Sequence, residues 1–258
     1  GAHINVDEST APEKFLGSKL VTLPSADGKI TAAQVADRIQ RIGDQHHPQA
    51  KVISISQASE YGTVYSADEV KALSEVARKN NLYLHMDGSR ISNAAVSLGK
   101  SFREFTRDAG VDVLSFGGTK NGMMFGEAIV FFKPELAANF SYIRKQGMQL
   151  HSKMRFISAQ FEALLTDDLW KRNAMHTNGL AKKLANALGG IKGITVTQKV
   201  EANGVFAIFP AEIIEPLQKE YPFYVWNERT NEVRLMCSWD TTEGEIEAFT
   251  SKVRQLLA

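Results

Sequence analysis

Leu82-Tyr-Leu-His-Met-Asp-Gly-Ser-Arg90 and, after two helix-prone segments, Val111-Asp-Val-Leu-Ser-Phe-Gly-Gly-Thr-Lys-Asn-Gly122 decide the fold class. Each stretch opens as a short, mostly apolar run and stops in glycine and polar residues, the pattern of strands buried in a parallel sheet. Side chains just past the carboxyl ends of such strands open into the crevice where α/β proteins hold ligands. Asp87 and Lys120 stand at these two places.

Working outward, Val52 to Ser56 is a further β-branched run. Ser66-Ala-Asp-Glu69 is a capping box that opens a helix with Val70, Leu73, Val76 and Ala77 on one face. Ile91 to Leu98 and Phe102 to Ala109 read as helices between the two quoted strands. Strands alternating with helices at this spacing predict right-handed βαβ units and a mostly parallel sheet covered on both faces. Ala128 to Phe132 follows the Lys120 loop too closely for a crossover, so that strand is expected to run antiparallel. Pro134 to about Gly189 reads as helical. Ile194 to Val196, Val205 to Phe209 and Val233 to Cys237 read as strands, and Thr242-Glu-Gly-Glu245 caps a last helix. The expected organisation is an α/β large domain over residues 1–140, then a helical bridge and a smaller α+β carboxy-terminal domain over 141–258.

Composition narrows the class. The chain has 258 residues, 43% hydrophobic and 23% charged, values that rule against disorder and fibres. Thirty basic against 29 acidic residues leave a net charge of +1, so neither nucleic acid nor an acidic membrane is expected as a partner. No apolar run approaches the roughly 20 residues that span a bilayer, and the first residues show no secretion signal. Cytoplasm is the expected compartment. The single Cys237 can form neither an intramolecular disulfide nor a thiolate zinc site. His46 and His47 read as a polar turn, His85 as a hydrogen-bonded histidine within its strand, and no metal is expected.

Asp87 and Lys120 gain meaning as a pair. A lysine condenses with an aldehyde cofactor as a Schiff base, and an aspartate keeps a pyridine nitrogen protonated so that the ring accepts electrons from a carbanion. Either residue alone reads as an ordinary turn residue. Together they point to pyridoxal 5′-phosphate.

The motifs extend over nearly the whole chain: Ala2-His-Ile4 with Glu8 and Ala11-Pro-Glu13, Asp27-Gly-Lys29, Glu60-Tyr-Gly-Thr-Val-Tyr65, His85-Met-Asp-Gly-Ser-Arg90, Ser115 to Gly122, Asn203, Val233-Arg-Leu235 and Ser238-Trp239. In this set the sequence resembles the low-specificity L-threonine aldolases, pyridoxal phosphate enzymes of the aspartate-aminotransferase-like fold, fold type I. The resemblance implies that Lys120 is the Schiff-base lysine, Asp87 the pyridinium partner, and His3 a residue stacked on the cofactor ring, with Thr119 and Arg90 beside the cofactor. It implies that Arg90 and Arg234 grip the amino-acid carboxylate, a task suited to the planar guanidinium fork. By family a homodimer or homotetramer is expected.

Two departures mark the chain. Where many threonine aldolases carry Thr-His-Asn-Gly, with the histidine by the substrate hydroxyl, this sequence has Ser59-Glu60-Tyr61-Gly62. Glu60 then takes a base or positioning role, or the base is a water or phosphate. The family's amino-terminal phosphate-binding stretch has no counterpart, so the sequence reads as an amino-terminally truncated member. The expected activity is cleavage of L-threonine, L-allo-threonine or related β-hydroxy-α-amino acids to glycine and an aldehyde. The alternatives are another reaction on the same scaffold (phenylserine cleavage, β-elimination, racemisation) or a catalytically silent fragment.

Overall fold

The computed structural model describes residues 1–258. Its first sheet has the order β1 (Val52–Ser56), β2 (Tyr83–Gly88), β3 (Val113–Gly117), β4 (Glu127–Phe131). The first three strands are parallel and β4 is antiparallel to β3, as the short connection requires. Register sets Asp87 between Ser56 of β1 and Ser115 of β3, so the aspartate emerges mid-sheet at the carboxyl end.

The expectation of two covered faces is not met. Ile53, Ile55, Leu84, Met86, Leu114 and Phe116 pack under the helices, whereas Val52, Tyr83 and Ile129 on the other face stay exposed. Strand order explains this. From β1 to β3 the chain steps in one direction, and right-handed crossovers made in one direction put every helix on the same side. The Ala67–Lys79, Ile91–Leu98 and Phe102–Phe105 helices occupy that side, with Val70, Leu73, Ala77, Ile91, Ala95 and Phe105 in the core.

Capping is as the sequence predicts at Ser66 and Thr242, where each hydroxyl accepts the amide of the glutamate three residues on. The helix expected over Phe102 to Ala109 stops at Phe105, where Thr106 Oγ1 bonds back to the Phe102 carbonyl at 2.6 Å.

The second sheet has the order β5 (Thr195–Val196), β6 (Gly204–Ile208), β8 (Glu232–Met236), β7 (Tyr224–Asn227), all pairs antiparallel. It packs with the Leu169–Gly189 and Glu243–Leu257 helices around Leu184, Leu188, Val205, Phe209, Val233 and Phe249. Sequence reading missed β7 and the Ala211–Gln218 helix, which carries Pro216. Burial of Ile213, Ile214 and Leu217 in this core outweighs the poor helix propensity of proline.

The two sheets are locked together by buried polar groups. Asn93 Nδ2 donates to Thr177 Oγ1 and Asn178 Oδ1, both at 2.8 Å, and Asn178 Nδ2 donates to the Asn93 carbonyl at 3.0 Å. Both Asn93 amide protons are used and Asn178 donates back to the Asn93 carbonyl, so the network favours one orientation of the Ile91–Leu98 helix on the Leu169–Gly189 helix. That orientation sets Arg90 against residues of the second sheet.

Candidate active site

Asp87 leaves β2 with its carboxylate bent back onto the chain. Its Oδ1 accepts the Ser89 amide at 3.0 Å and the Ser89 hydroxyl at 2.7 Å, so one oxygen is spent on orientation and the other is left for a ligand. Two residues earlier on the same face, His85 is hydrogen-bonded to Ser54 Oγ (2.9 Å, Nδ1) and Ser115 Oγ (3.1 Å, Nε2), one from each neighbouring strand. Burial pushes its pKa down, which favours the neutral ring.

The Lys120 loop is fastened from both sides. Glu127 of β4 accepts the Gly118 amide at 3.2 Å and the Thr119 amide at 3.4 Å, and Thr119 Oγ1 accepts the Gly126 amide at 2.9 Å. Asn173 Nδ2 donates to the Asn121 carbonyl at 2.8 Å, and Asn121 Nδ2 to that of Trp170 at 3.1 Å. Gly117 lets this loop approach the end of β2, since a Cβ there would lie 2.4 Å from the Ser89 carbonyl oxygen. The Lys120 side chain is exposed at the rim. Partial desolvation of its ammonium, then repulsion from Arg90, lowers its pKa from the ordinary lysine value.

Arg90 sits where β2 passes into the Ile91–Leu98 helix. Burial and the nearby Arg234 push its pKa down to about 10, against the pull of Glu60 and Asp87. It remains cationic at neutral pH. Arg234 projects from β8 opposite Phe206 of β6 and stands 5.0 Å from the Trp226 ring centre and 6.0 Å from that of Phe206. Tyr61 closes this group at 5.5 Å from Phe206 and 5.7 Å from Trp226. Aromatic faces attract and stiffen a guanidinium.

Glu60 reaches Arg234 Nη2 with Oε2 at 3.2 Å, and both side chains are nearly enclosed, 5% and 12% exposed. The loop that carries it is rigid. The Gln57 side chain exchanges two 2.9 Å bonds with the Tyr65 backbone, Thr63 Oγ1 donates to the Asp27 carbonyl at 2.6 Å, and the Val64 amide donates to Glu201 at 2.8 Å. Glu60, Arg90, Arg234 and Asn203 line one narrow cavity.

Of the residues singled out by sequence, Arg90, Arg234 and Glu60 line one cavity, while Asp87 and Lys120 stand outside that lining at the carboxyl ends of β2 and β3, within electrostatic reach of Arg90. Thr119 lies at the same loop with its hydroxyl engaged by Gly126. His3, in a short amino-terminal helix, is bonded to Glu8 at 2.6 Å, and no hydrogen bond joins it to the other five. Two features carried no assigned role in the sequence. The Tyr61–Phe206–Trp226 group could not be seen because its members come from three distant segments. Asn203 lines the cavity with Nδ2 tied to the Cys237 carbonyl at 2.8 Å, leaving Oδ1 a buried acceptor without partner; Arg234 Nε is a buried donor without partner. Orphaned buried groups of opposite sense in one cavity are what a polar ligand satisfies.

A family model described as beta-eliminating lyase matches residues 1–211. The chain belongs to the beta-eliminating lyase family. Within that family its relatives are threonine aldolases. It is 44% identical to the low specificity L-threonine aldolase of Pseudomonas sp. (strain NCIMB 10558), with 100% of this chain and 75% of the relative covered. It is also 44% identical to the protein of the same name from Pseudomonas aeruginosa, covering 99% of this chain and 74% of that one. A solved threonine aldolase from Leishmania major superposes with a TM-score of 0.91 at 30% identity, covering 100% of this chain and 75% of that one. The α/β architecture with its mixed four-stranded sheet is thus that of the threonine aldolases, fold type I.

The residues of this beta-eliminating lyase relative fit the ring end of pyridoxal phosphate. Asp87 has one carboxylate oxygen without a protein partner, which would be free to take a pyridinium N–H, and Lys120 carries an amine whose pKa is lowered.

Proposed function

We propose that the chain acts as a pyridoxal phosphate-dependent aldolase that cleaves L-threonine, L-allo-threonine or a related β-hydroxy-α-amino acid to glycine and an aldehyde. The observation that carries this reading is the placement of Asp87 and Lys120 at the carboxyl ends of the adjacent strands β2 and β3, with Arg90, directly after β2, lining one cavity with Arg234 and Glu60. Pyridoxal phosphate, when bound, supplies an aldehyde for Lys120 and a pyridinium that draws electrons from the bond to be broken.

The protein's own groups do the rest. Asp87 would hold a proton at the pyridine nitrogen. Lys120 would hold the cofactor by its aldehyde and, as a free amine, would deliver the proton that Cα gains when the Cα–Cβ bond breaks, the β-hydroxyl proton leaving to a water or phosphate. Arg90 and Arg234 would clamp the carboxylate and so orient the substrate about its Cα. Glu60 positions Arg234, and Asn203 Oδ1 stands where a hydroxyl or ammonium donor of the substrate is held. His3 and Thr119 remain assigned to the cofactor.

The product distribution tests the reading: L-threonine should yield glycine and acetaldehyde in equal amounts. Ammonia and a ketoacid would instead make the chain a β-eliminating enzyme. Arg234→Lys is expected to raise the KM for L-threonine by about 10-fold or more, because a lysine cannot reproduce the planar fork or the stacking on Trp226. Cofactor affinity should change little. Equal loss of both, measured by pyridoxal phosphate titration, would make Arg234 a structural residue.

A homodimeric or homotetrameric assembly is part of this proposal. Met124, Phe125, Met148 and Phe156 are exposed apolar side chains, and the first two directly follow the Lys120 loop, which supports burial against a second copy. No helix is long and apolar enough to cross a membrane. A cytoplasmic location is consistent with the buried free thiol of Cys237.

A further inference from the structure

Three charged side chains, Glu60, Arg90 and Arg234, line one cavity, with Glu60 Oε2 3.2 Å from Arg234 Nη2; Asp87 and Lys120 lie outside that lining, at the ends of β2 and β3. Asp87 is turned to Ser89, on the cofactor side. On the substrate side there remain two guanidinium groups and one carboxylate, that of Glu60.

Glu60 is not a mobile counter-ion that steps aside. Its loop is clamped by Gln57, Thr63 and Val64, and its Oε2 stays on Arg234 Nη2 while Arg234 Nε is left without a partner. The arginine pair therefore presents one uncompensated positive charge to a ligand. A single carboxylate balances it. A second carboxylate, one carbon further along the substrate, would meet the fixed charge of Glu60 in a cavity where solvent screening is weak.

Resting on the reading of this cleft as an amino-acid site, we propose that Glu60 determines specificity: it cancels one of the two arginine charges, so the cleft takes amino acids with one carboxylate and rejects those with a second carboxylate on the side chain. Glu60 is then a selectivity and positioning residue, with no proton of the reaction passing through it.

L-Asparagine and L-aspartate test this, being nearly isosteric and different by one charge. Calorimetric titration of the cofactor-loaded full chain should show wild type binding L-asparagine at least about tenfold more tightly than L-aspartate, 1.4 kcal/mol. In Glu60→Gln that ratio should fall by about tenfold or more. Wild type that binds both equally overturns the inference, as does a Glu60→Gln ratio within twofold of wild type. A Glu60→Gln protein that binds neither ligand overturns it too, because Glu60 would then act only by holding Arg234. None of these outcomes depends on which products L-threonine gives, so failure here is distinguishable from failure of the aldolase reading.

Discussion

Lys120→Ala is expected to abolish glycine formation from L-threonine and, with it, the visible absorbance that appears when pyridoxal phosphate condenses with the wild-type chain. Loss of proton transfer alone accounts for about 10²–10⁴-fold. Loss of the nucleophile that captures the cofactor adds to it. The fold should be unaffected. Lys120 is an exposed residue with no hydrogen bond to its ammonium, which is partly desolvated and repelled by Arg90, while the loop is held by Glu127, Asn173 and Thr119 without help from the lysine amine. Thermal unfolding of the variant at or above the wild-type midpoint would confirm that chemistry alone was removed. A variant that keeps the wild-type absorbance on titration with pyridoxal phosphate would sink the assignment of Lys120.

Asp87→Asn should lower kcat/KM by about 10²–10³-fold, the cost of losing one preorganised electrostatic partner of the transition state. The substitution is a sharp one. An asparagine Oδ1 can still accept the Ser89 amide and hydroxyl, so orientation at the end of β2 is retained. What disappears is the negative charge that, in the proposed role, would keep a ring nitrogen protonated. Steady-state rates with L-threonine, taken at saturating cofactor, separate this from weakened cofactor binding. Activity within tenfold of wild type would place the pyridinium partner elsewhere.

These two residues were legible in the sequence because their signals are local. Val113–Gly117 and Tyr83–Gly88 are short runs of strand-forming residues that stop in glycine, and a side chain next to such a stop sits at the sheet's carboxyl edge whatever the rest of the chain does. The capping boxes at Ser66 and Thr242 and the antiparallel return of β4 were legible for the same reason: each depends on contacts within a few residues. The half-open sheet was not. Whether helices cover one face or two depends on strand order, and Val52 and Tyr83 look no different in sequence when left exposed.

Glu60 shows the same limit at the site itself. In sequence it is a glutamate after a strand, open to a base or a positioning role. Its partner Arg234 lies 174 residues away, on a strand of the other sheet. Their pairing exists because the Asn93–Thr177–Asn178 network and the Glu201–Val64 bond set the two sheets in one orientation. Sequence alone determined where Asp87 and Lys120 stand, because strand ends and backbone register place them. Only the tertiary structure decided the cavity: the aromatic group around Arg234, the unpaired Asn203 oxygen and the pairing of Glu60 with Arg234. Long-range packing positions side chains through many weak contacts that no local pattern encodes.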